Sequence, residues 1–274
     1  MSILVGKNTR LLVQGITSRQ GAFYTERMLN YGTRVVAGVT PGCGGQQIHG
    51  VPVYDIVTHA IAETGANASI VFTPAALATE AILEATDAGL PLIICVTEGI
   101  PQKDMVVVLN YTTTRGTRLI GPSCPGIITP QACLAGVFPG NIFSPGSVGL
   151  VSRSDTLTYE VVNMLTQKGI GQSTCVGVGS NPLIGTRFVD VLPLFADDPE
   201  TEVVVLLGEI GGCDEEAAAA YIQQIEKPVV AFISGRALPG REDEVAAKTA
   251  ALNAAGVAVA SKLADIAELV AARL

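Results

Sequence analysis

The strongest constraint on the fold is an alternation of short, continuously apolar runs with longer segments of helical period. The run LPLIICV at 90–96 has no polar side chain, and the predicted strand at 201–207 ends in the apolar run VVVLL. A strand that alternates between apolar and polar residues has one solvated face, whereas a strand covered by helices on both faces is apolar throughout. The pattern therefore predicts parallel sheets with helices on both faces, which is the α/β class.

The alternation occurs twice along the chain, with a pause between. The first series of predicted strands covers residues 9–14, 33–39, 69–73, 90–96 and 117–120, with helices at 21–30 and 75–88. The second series has strands at 147–151, 174–178, 201–207, 228–233 and 257–260, with helices at 156–168, 186–195, 215–225, 241–255 and 263–272. Residues 121–146 are rich in Pro and Gly and have no helical period. We expect a Rossmann-like domain over 1–125, a linker over 126–145 and a flavodoxin-like domain over 146–274.

Charge and composition exclude several functional classes. The formal net charge is −8, Trp is absent and aromatic residues make up 5% of the chain. Nucleic acid and anionic membranes both require clustered Lys and Arg, so neither is an expected partner. Six cysteines without a CxxC pair, and only two histidines, fit neither a disulfide framework nor a metal site. With no signal-peptide pattern and no long apolar stretch, we expect a soluble, reduced, cytoplasmic protein.

The first strand-to-helix turn, QGITSRQG at 14–21, has the composition of a phosphate-binding turn. It has glycine at both ends, and the free N–H groups of the following helix would favour an anion beside Arg19. The turn is not GxGxxG, because Thr17 occupies the place of the second glycine. The alternative is an ordinary helix start with Thr17 or Ser18 as the N-cap.

Two further segments end strands at the same predicted sheet edge. Thr97 and Glu98 follow the fourth strand, where the carboxylate is suited to a ribose hydroxyl or an adenine amine, or simply to capping a helix. TPGCGG at 40–45 follows the second strand and is either a ligand-facing loop or a plain turn. Within it, Cys43 is a reactive thiol or, with no nearby base, a small buried residue.

The second half repeats the arrangement at two places. The segment 151–160 turns from strand to helix, with Ser154 or Asp155 as the expected N-cap. GEIGG at 208–212 ends another apolar strand, and Glu209 projects where the sheet meets the next helix. An acidic residue there can orient a cation or a catalytic histidine, or it can cap the helix.

Taken together, several segments resemble the α-subunit of succinyl-CoA synthetase, the ADP- or GDP-forming succinate–CoA ligase. They are VTEGIP at 96–101, GPSCPG at 121–126, VSRSDTLTYE at 151–160, GQSTCVGVG at 171–179 and GEIGG at 208–212. The likeness extends over nearly the whole chain. It implies a coenzyme A-binding domain followed by a ligase domain. It also implies a β-subunit partner of ATP-grasp fold that binds ATP or GTP with magnesium, a small carboxylic acid as substrate, and a phosphohistidine carrier on the α-subunit.

The resemblance also implies roles for individual residues. Coenzyme A contacts map to Thr17, Ser18, Arg19, Gln20, Cys43, Val96, Thr97 and Glu98. Contacts with the acid substrate map to Ser123, Pro125 and Tyr159, and the phosphate site maps to Ser154. Glu209 maps to the partner of the phosphohistidine.

Departures from the family pattern concern the phosphate chemistry. The family's Gly-His-Ala-Gly loop follows the strand at 228–233, but here that strand continues into SGRALPGR at 234–241 and then a helix, and no histidine follows His59. Asp155 replaces a glycine, and its repulsion of a phosphate is roughly 4 kcal/mol at 4 Å and a dielectric constant near 20. Cys43 replaces the usual lysine, and Ser123 replaces the usual asparagine.

Two hypotheses of different class follow. In the first, the chain belongs to a working ligase: the β-subunit makes acyl phosphate directly from ATP, and this chain supplies the thiol acceptor without a histidine carrier. In the second, the chain is a catalytically inactive coenzyme A-binding or regulatory paralogue. A third possibility, acyl transfer through the Cys43 thiol, lacks an identifiable general base.

Overall fold

The computed structural model describes residues 3–235 and 240–274, and it contains two seven-stranded sheets. In the first sheet the strands are β1 Leu11–Gln14, β2 Val35–Val39, β3 Gln47–Ile48, β4 Val51–Tyr54, β5 Ala68–Val71, β6 Leu92–Cys95 and β7 Arg118–Ile120. The helices of this half are α1 Arg19–Tyr31, α2 Val57–Thr64, α3 Ala75–Asp87 and α4 Gln102–Thr114. Except for the antiparallel edge strand β3, all strands run parallel, in the order β4-β2-β1-β5-β6-β7. Counted along the chain, this is the 3-2-1-4-5-6 order of a Rossmann fold, as the sequence predicts.

Both faces of this sheet are apolar and covered. Leu12 and Ile93 point into one buried cluster together with residues of α2, α3 and α4. Leu11 and Val13 point into the opposite cluster, which continues into the second half of the chain. This two-sided burial explains why the strands are continuously apolar in the sequence.

The second sheet contains the remaining strands. They are β8 Gly126–Thr129, β9 Cys133–Gly136, β10 Pro145–Ser152, β11 Gln172–Gly177, β12 Val203–Gly208, β13 Val229–Ile233 and β14 Ala258–Val259. The helices are α5 Asp155–Gln167, α6 Phe188–Asp197, α7 Asp214–Ile222, α8 Glu242–Ala254 and α9 Ile266–Ala271, with short 3-10 helices at Gly140–Ile142 and Leu263–Asp265. The parallel strands lie in the order β14-β13-β12-β10-β11. Reversed, this is the 2-1-3-4-5 order of flavodoxin, which confirms the predicted second fold.

The segment expected to be a linker is part of the second sheet. β8 and β9 form an antiparallel pair, and β8 also pairs with β11. The glycines that indicate a linker in the sequence instead permit close backbone packing, because a Cβ on Gly136 would lie 2.1 Å from the Pro125 carbonyl oxygen. The predicted linker over 126–145 therefore contains two paired strands, and the domain boundaries stay predictions.

The β8–β9 hairpin also joins the two halves. The Thr33 hydroxyl donates to the carbonyl of Leu134 and accepts from its N–H, both at 2.8 Å. The Thr129 hydroxyl donates to the carbonyl of Val5 at 2.9 Å. Thr33, which follows α1, and Val5 both belong to the first half of the chain, so these hydrogen bonds fix it against the hairpin of the second sheet.

Within residues 3–235 and 240–274, no helix combines the length and the apolar character required to cross a membrane.

Candidate functional site

A cleft of about 610 Å³ lies at the carboxyl ends of the strands of the first sheet. The strand order reverses between β1 and β5, and ligands of open α/β sheets bind in the crevice outside such a switch point. The amino-terminal end of α5, in the second domain, closes the cleft from the other side. The cleft is therefore an interdomain site at the position where this topology binds ligands.

The first wall of the cleft is the amino-terminal turn of α1. Ser18 is the N-cap, and its hydroxyl accepts from the Gly21 N–H at 2.9 Å, which decides between the two predicted caps. Arg19 and Gln20 follow it and line the cleft. A Cβ on Gly21 would lie 2.1 Å from the Gly15 carbonyl oxygen, so glycine is required for this tight turn. The turn presents free N–H groups and a guanidinium to the cleft.

The second wall is the segment after β6. Val96, Thr97 and Glu98 all line the cleft, as the sequence predicts for residues that end adjacent parallel strands. The Thr97 hydroxyl donates to the Thr73 carbonyl at 2.7 Å, which fixes this segment against the loop after β5. Glu98 is solvent-exposed at this wall.

An aromatic pair forms part of the cleft that the sequence analysis missed. The rings of Tyr24 and Phe72 are stacked, with centroids 5.6 Å apart and planes 6° from parallel. Both rings line the cleft. The other lining residues that were not predicted are Thr73, Pro74, Ala75, Cys124 and Val137. The helical spacing of Tyr24 alone indicates only a core position, so the sequence carries no separate signal for it.

Asp155 enters the cleft from the second domain. It is the first residue of α5, directly after the N-cap Ser154, whose hydroxyl accepts from the Leu157 N–H at 3.4 Å. Burial, followed by the negative charges of Glu98 and Glu209, raises the pKa of the Asp155 carboxyl to about 6. Burial and like charge therefore outweigh the favourable field of the helix N-terminus. Above pH 6 the carboxylate is mostly charged and occupies the anion-binding end of α5.

Several predicted site residues lie outside the cleft lining. The Thr17 hydroxyl donates to the Thr40 hydroxyl at 3.1 Å and joins the turns after β1 and β2. Cys43 is half-buried against the apolar core. Ser123 has a φ of +56° and donates its N–H to the Thr97 carbonyl at 3.1 Å, so it supports the second wall.

The residues predicted to contact the acid and the phosphate are also mainly packed behind the lining. Pro125 is buried against β11, since a Cβ on Gly177 would lie 2.3 Å from its ring. Tyr159 is half-buried beside Phe138, with ring centroids 6.0 Å apart. Burial, and then the charge of Asp155, raise the pKa of Tyr159 to about 12. Ser154 caps the amino-terminal end of α5 and does not line the cleft.

Glu209 lies at the switch point of the second sheet, directly after β12. It is half-buried, and burial raises the pKa of its carboxyl, although the nearby Arg153 charge opposes the rise. Its backbone N–H donates to the carboxylate of the fully buried Glu215 at 3.0 Å. The family resemblance places the histidine partner of Glu209 after the strand that corresponds to β13. The equivalent segment of this chain is 234–241, which contains no histidine and of which residues 236–239 fall outside the described residues.

Beneath Glu209 is a group of charges that we call the Glu215 network, formed by the buried Arg153, Glu215 and Lys248 and by the partly exposed Glu216, whose carboxylate lies 3.2 Å from Lys248 Nζ. Lys248 Nζ lies 2.6 Å from one Glu215 oxygen, and Arg153 Nη1 lies 3.3 Å from the other. Burial opposes the charge on Lys248, but hydrogen bonding and attraction to Glu215 leave its pKa raised. The sequence analysis missed this network, because a single lysine in an Ala-rich helix indicates a solvated face.

A larger cavity, of about 840 Å³, lies at the opposite edge of the first sheet. Lys7, Asn67 and Arg118 line it near the amino ends of the strands. Open α/β sheets bind ligands at the carboxyl edge, so size alone does not make this cavity the functional site.

The buried cysteines of the described residues are poor nucleophiles. Cys95, Cys124, Cys133 and Cys175 are buried free thiols. Burial raises the pKa of Cys95 to about 12 and that of Cys133 to about 11, which keeps these thiols protonated and unreactive. In the part of the chain that the structure describes, no group of three or more His, Cys, Asp or Glu side chains is arranged to hold a metal ion.

Comparison with known proteins places these features in a family. The family model for a CoA binding domain matches residues 6–99, and the model for CoA-ligase matches residues 151–273. Subunit alpha 2 of the ADP-forming succinate–CoA ligase of Archaeoglobus fulgidus is 51% identical over 284 aligned positions, which include 99% of this chain and 99% of the relative. The chain belongs to the succinate–CoA ligase α-subunit family.

Other members of the α-subunit family agree. The α-subunit of Aquifex aeolicus is 47% identical, with 99% of this chain and 94% of the relative aligned. That of Staphylococcus epidermidis (strain RP62A) is 55% identical, with 87% of this chain and 80% of the relative aligned. The predicted family membership and the predicted order of the two domains are confirmed.

Solved structures show the same fold at lower identity. The ATP citrate lyase of Methanothrix soehngenii, solved with citrate and coenzyme A, aligns with a TM-score of 0.88 at 24% identity over 98% of this chain. The dinucleotide-forming acetyl-coenzyme A synthetase 1 of Ca. Korarchaeum cryptofilum, in its apo form, aligns with a TM-score of 0.81 at 20% identity over 96%. This chain spans 50% and 60% of those two chains, so the likeness shows a shared two-domain fold within longer enzymes.

Proposed function

We propose that this α-subunit family member is the coenzyme A-binding component of an acid–CoA ligase, and that it works without a phosphohistidine of its own. The observation that carries the proposal is the interdomain cleft. The cleft unites the anion-binding turn at Ser18–Gln20 with Val96–Glu98, while the acid side chain of Asp155 occupies its far side. The partner in this proposal is a β-subunit of ATP-grasp fold.

The residues of the cleft fit coenzyme A. Its phosphates match the N–H groups at the start of α1 and the Arg19 guanidinium, and the Gly15–Gly21 approach keeps side chains out of that turn. The stacked rings of Tyr24 and Phe72 offer an apolar wall for the uncharged part of the molecule. Glu98 and Thr97 offer acceptors at the other side. Coenzyme A supplies the thiol that takes up the acyl group.

The absence of a histidine carrier rests on the sequence. No histidine follows His59, whereas the family resemblance places the carrier after the strand that corresponds to β13. The alignment with the Archaeoglobus subunit spans 284 positions although this chain has 274 residues, so at least ten positions of the relative have no counterpart here. A deletion in the segment 234–241, just before α8, is consistent with that difference.

Asp155 supports the same proposal through electrostatics. A phosphate approaching the start of α5 would meet a carboxylate where the family has a glycine. The charged neighbours Glu98 and Glu209 add to the repulsion, since both already raise the pKa of Asp155. In this proposal the phosphoryl group therefore stays on the partner subunit, which activates the acid with ATP or GTP and magnesium.

The remaining assignments are positional. Ser123 and Pro125 flank Cys124, which lines the cleft, and Tyr159 lies one helical turn after Asp155 on α5, so we assign them to forming the acid-binding end of the cleft. Cys43 lies beyond the lining, and we assign it a packing role near the coenzyme A site. The buried free thiols match a reducing compartment, and we place the protein in the cytoplasm.

Co-purification with the partner subunit, followed by ATP- and coenzyme A-dependent turnover with a panel of small carboxylic acids, tests the proposal. We expect turnover with at least one acid and no acid-labile label on this chain after exposure to γ-labelled ATP. A labelled chain would show that a carrier persists. Coenzyme A binding without any turnover would instead favour the inactive regulatory paralogue.

A further inference from the structure

Asp155 presents a partly buried carboxylate to the cleft between the two domains. Among residues 3–235 and 240–274, no group forms a hydrogen bond or an ion pair with this carboxylate. A carboxylate removed from water is costly unless it is paired, so an unpaired one in a cleft calls for an explanation. Its oxygens are available to accept a hydrogen bond or a proton from a molecule that enters the cleft.

The other charged and thiol groups of the lining are poorer proton acceptors. The Cys124 thiol donates to a backbone carbonyl at 3.3 Å, and burial raises its pKa well above the ordinary value. Glu98 is solvent-exposed, so water competes for its oxygens, and Arg19 is a cation with no acceptor. The described lining contains no histidine and no lysine. Asp155 is therefore the lining residue best suited to take up a proton.

The surroundings of Asp155 suit proton transfer near neutral pH. Burial, followed by the charges of Glu98 and Glu209, raises the pKa of its carboxyl to about 6. A general base is most effective when its pKa lies close to the operating pH, and burial is one way in which proteins bring an acid into that range. The other titratable or charged groups around it are Arg19 and Tyr24 on α1, Cys124 before β8, Arg153 before α5 and Tyr159 on α5.

The position of Asp155 in the cleft matches the thiol end of coenzyme A. In the proposed function the phosphates lie at the start of α1, and the uncharged part of the molecule lies against Tyr24 and Phe72. The thiol is the end of coenzyme A opposite its phosphates, so it extends from α1 towards the second domain. Asp155 is the charged side chain that the second domain contributes to the described lining.

We propose that Asp155 is the general base of the ligase, which takes the proton from the coenzyme A thiol during its attack on the acyl phosphate. The inference rests on the proposed function and adds a catalytic residue to it. An Asp155 oxygen accepts the thiol proton while the sulfur uses the electron pair of its S–H bond to bond to the acyl carbon. The bond from the acyl carbon to the phosphate oxygen breaks, and phosphate leaves with that electron pair. Protonated Asp155 then gives its proton to the departing phosphate, which restores the carboxylate.

The repulsion between Asp155 and phosphate is compatible with this role. The carboxylate repels the phosphoryl end of the acyl phosphate, and it thereby favours an approach by the carbonyl end. The aspartate that replaces the family's glycine therefore excludes free phosphate and also supplies a proton acceptor.

Asp155→Asn tests the role in the complex with the partner subunit, because the amide keeps the size of the side chain and does not take up the proton. Trapping of the acyl phosphate by hydroxylamine, in place of coenzyme A, does not involve the thiol. We expect the single-turnover rate of thioester formation to fall about 100-fold, and hydroxamate formation to change less than about twofold. Asp243→Asn, at an exposed position in the first turn of α8, is the matched control and should leave both rates unchanged.

The substitution removes a partly buried charge, so we expect Asp155→Asn to fold at least as stably as the wild type. Equal losses in thioester and hydroxamate formation would overturn the proposal, because Asp155 would then act before the thiol does. A normal rate of thioester formation by Asp155→Asn would also overturn it.

The pH dependence of the reaction gives a second readout. In the wild type, kcat/KM for coenzyme A should rise through about pH 6 to a plateau, because only the charged form of Asp155 accepts the proton. The rise should be absent from Asp155→Asn. A rise of equal size in both proteins would assign the titration to another group, such as Glu98 or Glu209, and would overturn the proposal.

Binding gives a readout that needs no turnover. Titration calorimetry with coenzyme A and with desulfo-coenzyme A, which lacks the sulfur, measures the contact between the thiol and Asp155. We expect the wild type to bind coenzyme A about fivefold more tightly than the analogue, and Asp155→Asn to distinguish the two less than about twofold. An equal preference in both proteins would place the thiol away from Asp155 and overturn the proposal.

Failure of the proposed function has a different signature. A wild-type complex that forms neither thioester nor hydroxamate would contradict the proposed function. The comparison of coenzyme A with its desulfo analogue would then decide by itself whether Asp155 contacts the thiol.

Discussion

The carboxylates of Asp155 and Glu98 face one cleft although they come from different domains. Burial is the main reason that the pKa of Asp155 rises to about 6, and Glu98 is the first of the charges that add to it. Glu98 follows β6 of the Rossmann-like domain, whereas Asp155 begins α5 of the flavodoxin-like domain. The cleft therefore combines the anion-binding turn of α1 with negative charges that come from both domains.

The raised pKa of Asp155 predicts a specific dependence of stability on pH. A carboxyl whose pKa is higher in the folded state favours folding in its protonated form, so its contribution is complete below pH 4 and is lost as the pH rises through about 6. Asp155→Asn removes this loss. After allowance for partial solvent screening, we expect the variant to exceed the wild type in free energy of unfolding by about 1 kcal/mol at neutral pH.

Urea denaturation of both proteins near pH 4 and pH 7.5 measures this difference. Asp243→Asn, at an exposed position in the first turn of α8, is the control and should show no comparable change between the two pH values. A constant difference between Asp155→Asn and the wild type at both pH values would contradict the raised pKa.

Replacing Asp155 by glycine is expected to open the start of α5 to phosphate. The free N–H groups of the helix would then attract an anion without a competing carboxylate. At phosphate concentrations about ten times the Kd, binding adds about 1.4 kcal/mol of stability, which corresponds to a rise of about 2–4 °C in unfolding temperature. Thermal unfolding with phosphate and with equal ionic strength of chloride measures the effect. A wild-type protein that phosphate stabilises equally would show that Asp155 does not block the site.

The sequence predicts most of the sheet framework because buried parallel strands are apolar throughout. It fails where a local preference conflicts with tertiary packing. The helix α4 contains the β-branched run Val106–Val108, which lowers helix propensity, and no helix was predicted there. The two-residue strand β3 is too short to show a period, and β8 and β9 are hidden by turn residues.

The same distinction separates the residues of the candidate site that the sequence could place from those that it could not. Ser18–Gln20 and Val96–Glu98 could be placed together because the carboxyl ends of neighbouring parallel strands meet at one edge. Tyr24 and Lys248 could not be placed, since an aromatic or a charged residue on a helix has several possible environments. Only the stacking of Tyr24 on Phe72, and the packing of α8 against α7, decide where those side chains point.

The close approach of Gly21 to Gly15 predicts that Gly21→Ala disrupts the turn. A Cβ 2.1 Å from a backbone oxygen forces the turn and α1 apart. We expect a loss of about 1–3 kcal/mol in the free energy of unfolding, with loss of coenzyme A binding in the folded fraction. Urea denaturation and calorimetry measure the two effects. Glu26→Ala, at an exposed position of the same helix, should leave the free energy of unfolding and coenzyme A binding unchanged. Normal coenzyme A binding by Gly21→Ala would show that the turn is not part of the site.

Arg19 provides the most direct test of the coenzyme A site, because α1 carries a second arginine away from the cleft. Arg19 lines the cleft, whereas Arg27 is exposed and lies over the Phe23 ring at 5.7 Å. A hydrogen bond from a cation to a phosphate contributes about 1.5 kcal/mol, so Arg19→Ala should weaken coenzyme A binding about tenfold. Titration calorimetry should show unchanged affinity for Arg27→Ala, which has the same change in net charge. Equal weakening by both substitutions would mean that Arg19 acts only through overall charge, and the coenzyme A phosphates would then lie elsewhere.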